Sequence, residues 1–489
     1  MHKDLRSMIE ELEREHGGEL IRIDKGPLNP AEGECAAILQ QLEDAGKMPM
    51  VIFEHVTNLH GQRWPGSVVY QTDGTWTRLA IEFGMPDATS PYAIQQETLR
   101  RIKRPLPSMV IDPKVAPVKA RVVRQPEISF FDLPGYRSNE QDARPGWITG
   151  PVVARDPDSG RYNVSWHRDF IASEERALCN MEPRHLSDIL AKHRERGEDW
   201  APFVQVFGHN VLWRLAASMR PGLDVDEYDF AGGILGEPLR VTPSDTWGEQ
   251  FMIPADAEVV IEGYIATRER GQTGPWADFL RYYAPTSGNP VLRLAAVNMR
   301  TNPMFEHSWV GHDVSEDIAT AAYVQQMLSS RFPGVRAVNY VLPGMMVLQF
   351  KPTRNGDVGR MVGLAHAYGD IVKHVIVVDE DVDPFDPYQV LWSIASRVDA
   401  KRRTYVVPLS THRLDPAVPA TEVNGQRVPD AVGALVIDST KPIESAFVEV
   451  GHAPASAVKK IALSDYVSQE ELAGIVGCKT TRPWAMTVK

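Results

Sequence analysis

Leu5, Met8, Ile9 and Leu12 recur at helical spacing among charged residues, and ELIRI follows at 19–23. The pattern predicts an amphipathic helix running into a short strand. A secretory signal would need a continuous apolar stretch at this position, so export is not expected. Prolines 105, 107, 113 and 117 punctuate the basic stretch from 100 to 123. They forbid a continuous helix there and mark an expected domain crossing. From about Arg121 to Asn302 the pattern turns to strands. WITGPVVA (147–154) and AEVVIEGYIA (257–266) are rich in β-branched residues and short for helices, and Asp156-Pro-Asp-Ser-Gly160 is a turn signal. One helix interrupts, from Pro183 to about Arg194, with Leu186, Ile189 and Leu190 on one face. The middle section therefore predicts a β-barrel with inserted helices.

The last third alternates. Ser315 is positioned to cap a helix through about Ser330. Strands follow at 335–342, 345–350 and 374–379, with helices near 358–368 and 387–397 and further strands at YVVPL and GALVID. Such alternation predicts an α/β layer. The expected organisation is a multidomain α+β and α/β chain with domains at 1–115, 116–310 and 311–489.

Composition removes several function classes. A chain of 489 residues exceeds what one hydrophobic core organises, and 43% apolar with 24% charged residues is ordinary for a globular protein. Mean hydropathy is -0.26, and no apolar run reaches the roughly 18 residues of a membrane span. A net charge of -12 argues against a grip on nucleic acid. Cys35, Cys179 and Cys478 are widely spaced, which excludes a disulfide framework or thiolate zinc site and suits a reducing cytoplasm. Because no export signal is expected, the sequon Asn163-Val-Ser165 is not read as a glycosylation site.

The common catalytic signatures are missing: no GxxxxGK[ST], HExxH or GxSxG, and no GxGxxG between a strand and a helix. Gly356, Gly359 and Gly363 fall within an expected helix and read as packing residues. What remains is a polar set. Asn163 and Arg168 lie five apart in NVSWHR, His185 follows in MEPRHLSDIL, and Glu227 in DEYDFAGG. Amide oxygen, imidazole and carboxylate suit Mn²⁺ or Mg²⁺, particularly where a phosphate completes the shell. On residue types alone, a solvated histidine and a surface acid compete with that reading.

Four stretches, in order, resemble the UbiD family of prenylated-FMN-dependent decarboxylases. DARPGWITGPVVARDPDSGRYNVSWHR (142–168) is similar to its Ile-Thr, turn and Asn-x-x-x-x-Arg run. AASMRPGLDVDEYDFAGGILGEPLRV (216–241) resembles its Ser-Met segment, with the metal Glu eight residues later. TGPWADF (273–279) matches its catalytic Glu-Gly-Pro-x-x-acid loop in part, and VVDEDVDPFDPYQVLWSIASR (377–397) its acidic turn and following helix.

The resemblance implies a central split β-barrel of flavin-reductase type between N-terminal and C-terminal α/β domains, the last helping to build a homodimer or homohexamer. It implies Asn163, His185 and Glu227 as ligands of Mn²⁺ or Mg²⁺ that bridges to the cofactor phosphate, with K⁺ nearby. Ser165, Trp166, Arg168, Ser218 and Met219 would border prenylated FMN, which a prenyl-flavin synthase would supply. Arg168 would face the substrate carboxylate and Asp278 would protonate carbon after CO2 leaves. Two departures stand out. Thr273 occupies the position of the family's first acid, and Arg220 stands where many relatives place Pro. The implied activity is reversible decarboxylation of an aromatic acid. Thr273 inclines the expectation to an electron-rich heteroaromatic acid, indole-3-carboxylate or pyrrole-2-carboxylate. A phenolic acid such as 4-hydroxybenzoate or vanillate is the alternative, and a flavin-binding protein without chemistry is the reading from another class.

Overall fold

The structure, a computed structural model, describes residues 2–474 apart from 87–88, 182–183, 285–287, 312, 370, 411–414, 418–419, 424–425 and 452. Pro183 and Cys478, both singled out above, lie outside the described residues. Residues up to Tyr323, with a segment ending at Asp430, form one compact unit; those from Val324 and from Ala431 onward form another.

In the first unit six antiparallel strands close a barrel. The order round the wall is Val259–Gln272, Trp200–Phe207, Gly146–Arg155, Tyr162–Ile171, Ala177–Asn180 and Gly288–Met299, and the last pairs back onto the first. Gly146–Arg155 and Tyr162–Ile171 make one hairpin in unbroken register, from Gly146 opposite Ile171 to Arg155 opposite Tyr162. Its tip is the expected turn: Asp156 Oδ1 accepts the Asp158 N–H at 2.8 Å, and Gly160 sits at φ 75°. A side chain at that φ would be strained, so glycine suits the position.

The wall is covered on both faces. Val259, Ile261, Phe203 and Phe207 belong to one apolar cluster, whereas the intervening Val260, Val204 and Val206 belong to the other. A strand buried on both sides loses the polar alternation of a half-exposed one, which explains the continuous run AEVVIEGYIA. The helix His185–Glu195 buries Leu186, Ile189 and Leu190 against the first cluster, as expected. Val211–Ser218 and Glu227–Leu235 pack on the second, together with Leu5, Met8, Ile9 and Leu12 of the N-terminal helix Leu5–Glu15.

The N-terminal sheet runs Leu20–Ile23, Met50–Phe53, Ser67–Tyr70 and Met304–His307, so its fourth strand comes from beyond the barrel. After the end of the helix Pro91–Arg101, the proline-rich stretch carries the two-residue strand Met109–Val110, the 3₁₀ turn Pro117–Ala120 and the start of Arg121–Arg124. The helix expected from Ser315 starts at Val314 instead. Ser315 is inside it, and its hydroxyl is buried without a hydrogen-bond partner among the described residues.

The second unit is a mixed five-stranded sheet in the order Val335–Leu342, Met345–Phe350, His374–Val378, Val432–Ser439, Thr404–Leu409. The two inner pairings are parallel and the two outer ones antiparallel. Helices Asp357–His366 and Pro387–Arg397 appear where the pattern placed them; Gly359 and Gly363 lie inside the first, and Gly356 precedes it at φ 87°. Among the described residues no helix is long and apolar enough to cross a membrane.

Candidate active site

The barrel strand Tyr162–Ile171 presents residues to two neighbouring groups. In the first, Asn163 Nδ2 donates to Glu227 Oε1 at 2.8 Å and the Val164 N–H to Glu227 Oε2 at 2.7 Å. Glu227 opens the helix Glu227–Leu235, whose N-cap Asp226 accepts the N–H groups of Tyr228 at 3.0 Å and Asp229 at 3.4 Å. The Tyr162 N–H also donates to Asp226, at 3.1 Å, so the cap ties the helix start to the strand. His185 opens its own helix and places Nδ1 3.6 Å from Glu227 Oε1.

Asn163, His185 and Glu227 are thus brought to one point. Burial pushes the Glu227 carboxyl above the usual range, opposed by His185, the Val164 amide and Asn163. A divalent cation at that point would offset the same penalty, and carboxylate, imidazole and amide oxygen are donors it accepts. Among the described residues no three His, Cys, Asp or Glu side chains gather for a metal. Here the third donor would be the Asn163 amide, turned over so that its oxygen faces the ion.

Beside this group, Ser165 Oγ lies 2.8 Å from His167 Nε2. Ser218 and Met219 end the helix Val211–Ser218: Ser218 Oγ donates to the Arg214 carbonyl at 3.1 Å, and the Met219 N–H to that of Ala216. Trp166 is half-buried beneath the Arg214 guanidinium, 4.2 Å from its ring centre.

The second group is an ion pair. Arg168 Nη2 stands 2.5 Å from Asp278 Oδ2, with both side chains largely buried. Arg168 Nε is buried without a hydrogen-bond partner among the described residues, so one edge of the fork is uncommitted. Asp278 follows Trp276–Ala277, the first strand of a small hairpin that ends in Tyr283–Ala284. That hairpin is anchored twice. The Trp276 ring lies 4.7 Å from Trp147 and 5.7 Å from Tyr136, and the Ala277 N–H donates to Asp142 Oδ1 at 3.0 Å. Thr273 is buried, and its hydroxyl accepts from Asn289 Nδ2 at 3.2 Å; among the described residues no hydrogen bond joins it to Arg168 or Asp278.

Sequence reasoning missed Arg214. Its Nε is 2.9 Å from Asp73 and its Nη1 3.4 Å from Glu306, while Nη2 contacts Asp313 and lies 3.0 Å from Ser308 Oγ. Burial pushes Asp313 up to about 7 and raises Glu306, against the pull of Arg214. The partners come from two stretches far from Arg214 in sequence, at Asp73 and from Glu306 to Asp313, so no local spacing announces them.

Residues 110–313 match the model of the 3-octaprenyl-4-hydroxybenzoate carboxy-lyase Rift-related domain, and residues 316–438 that of the C-terminal domain of the same enzymes. The chain belongs to the UbiD family. It is a carboxy-lyase with the closed antiparallel barrel of UbiD-class structures. A phenolic acid decarboxylase of Streptomyces sp. (strain D7) is 30% identical over 460 residues, 90% of this chain and 93% of that one. The UbiD-class enzyme HmfF from Pelotomaculum thermopropionicum, solved with FMN, superposes with a TM-score of 0.81 at 27% identity, covering 95% of this chain and 100% of that one. Its evolved dimeric form, solved with prFMN, gives 0.79 at 26% over the same shares. The open form of Sedimentibacter hydroxybenzoicus vanillic acid decarboxylase gives 0.80 at 28%, covering 94% and 97%. The UbiD-family membership accounts for the order of the four sequence stretches noted above.

Proposed function

We propose that this UbiD-family enzyme removes CO2 from a phenolic acid, with prenylated FMN bound beside Trp166, Ser218 and Met219. A divalent ion on Asn163, His185 and Glu227 would hold its phosphate. The names of the relatives favour phenolic acids over the indole and pyrrole acids that Thr273 suggested. The prFMN complex of HmfF supports the cofactor, and its dimeric form supports assembly as a homo-oligomer.

The observation that carries the reading is the Arg168–Asp278 pair with an uncommitted Arg168 Nε. Loss of CO2 leaves an electron pair on a ring carbon, and prenylated FMN supplies the electron sink that makes this accessible. Arg168 binds and orients the carboxylate, because a guanidinium fork matches two carboxylate oxygens and keeps its charge. Asp278, held against Arg168, takes up a proton from solvent and delivers it to the carbon that lost CO2. The aromatic packing around Trp276 fixes the Asp278 hairpin, so the acid is positioned before substrate arrives.

The test uses enzyme co-produced with a prenyl-flavin synthase, purified without oxygen, and a panel of phenolic, pyrrole and indole acids. Asp278→Asn is expected to lower decarboxylation by at least about 100-fold while flavin and metal content stay unchanged. Near-wild-type turnover by that variant would refute the role of Asp278. Turnover of pyrrole or indole acids without any phenolic acid would refute the substrate class.

A further inference from the structure

Within electrostatic range of Asp278, one carboxyl has no partner among the described residues. Glu316 is the third residue of the helix Val314–Ser329, and this helix start is firmly held. Asp313 contacts Arg214, and the Ser315 N–H donates to Asp73 Oδ2 at 3.3 Å. Arg214 in turn covers the ring of Trp166, which shares one face of its strand with Arg168 two residues on. The helix is thereby docked on the side of the barrel wall where Arg168 meets Asp278. The charges acting on Glu316 are those of Arg220, Asp278, Arg184 and Arg214, with Asp313 and Asp317 on its own segment.

Glu316 is half-buried, and among the described residues its carboxyl makes no hydrogen bond or ion pair. That contrasts with Asp73, Glu306 and Asp313, all of which are engaged by Arg214. Burial pushes the Glu316 carboxyl above the usual range, with Arg220 opposing and Asp278 reinforcing the rise.

We propose that Glu316 is a specificity-determining residue, whose carboxyl accepts the hydrogen bond of a ring O–H or N–H on the aromatic acid that Arg168 holds by its carboxylate. This rests on the decarboxylase reading above and narrows it: the preferred substrates are ring donors. The chemistry gives the contact a purpose beyond fit. A phenol O–H or pyrrole N–H shared with a carboxylate pushes electron density into the ring, which favours reaction at the carbon bearing CO2. An ether or N-methyl analogue offers no such hydrogen, and leaves a desolvated carboxyl facing an apolar group.

The experiment compares matched pairs on the loaded enzyme: 4-hydroxybenzoate against 4-methoxybenzoate, and pyrrole-2-carboxylate against its N-methyl derivative. The readout is the ratio of kcat/KM within each pair, with prenyl-flavin absorbance and melting temperature recorded for every variant. Wild type is expected to favour the donor-bearing acid, and Glu316→Leu to reduce that preference by about 10-fold or more, as loss of a hydrogen bond to a charged group predicts. If the leucine variant loses flavin or melts early, the isosteric Glu316→Gln decides. A fall in its ratio of about threefold or more supports the assignment, and an unchanged ratio overturns it. An equal loss on both members of a pair also overturns it, since that marks a structural role. If wild type converts none of these acids, the substrate class proposed above fails and takes this assignment with it. Wild-type turnover with ratios unmoved by substitution defeats Glu316 alone.

Discussion

Asp169 shows how a single side chain can hold a pH dependence with no catalytic role. It follows Arg168 on the same strand and so points to the opposite face of the wall. It is fully buried, and its polar neighbours, the Cys179 thiol and Gln205 amide, do not reach hydrogen-bond geometry with either carboxylate oxygen. Burial pushes its carboxyl up to about 7. An acid raised on folding contributes stability that is complete below its unfolded value near 4 and is lost as pH rises through about 7. The wild-type protein should therefore lose about 1–4 kcal/mol between pH 5 and pH 8 from this group. In Asp169→Asn that part of the slope should vanish, measured as a smaller drop in melting temperature between the two pH values. Nothing in the sequence marked Asp169. Its neighbour Arg168 was recognisable because a motif surrounds it, whereas burial without a partner is a property of the packed wall.

The helix Glu227–Leu235 makes a comparable point for elements. Asp226 caps it and also receives the Tyr162 N–H, so one carboxylate sets both the helix start and its attachment to the barrel strand. Asp226→Ala should destabilise the protein by about 1 kcal/mol, as loss of an N-cap does. If Glu227 holds the proposed divalent ion, the substitution should also loosen it, so that less Mn²⁺ survives dialysis than in wild type, measured as metal per chain. Elements of this kind were largely legible. Helical spacing located Leu5–Glu15 and Pro387–Arg397, and β-branched runs located the barrel strands, because periodic burial leaves a periodic sequence. Ser315 was misread as a cap for a physical reason. Its residue type suits the role, but the chain turns into the helix one residue earlier, where Asp73 meets the Ser315 N–H.

Arg214 joins parts of the first unit that are distant in sequence: Asp73 after the strand Ser67–Tyr70, Glu306 in the strand Met304–His307, and Asp313 ahead of the helix Val314–Ser329. Arg214→Met leaves these buried acids without their cation. A loss of about 3–5 kcal/mol is expected. The loss should be larger at pH 8 than at pH 6, because Asp313 already sits near 7 with Arg214 present and is raised further without it. Urea unfolding at the two pH values measures both the size and the sign.

The sequence by itself determined what is local or ordered along the chain: most helices, the barrel strands, the turn at Asp156–Gly160, and the succession of Asn163, Arg168, His185, Glu227 and Asp278. These depend on spacing and residue type, which a linear string records. Only the tertiary structure decided which of many acids share the Arg214 guanidinium, that Thr273 turns to Asn289, and that the Glu316 carboxyl is left without a partner among the described residues. Such meetings follow from how the barrel closes between Val259–Gln272 and Gly288–Met299 and how the helices dock on it, and packing of distant segments leaves no periodic trace in the sequence.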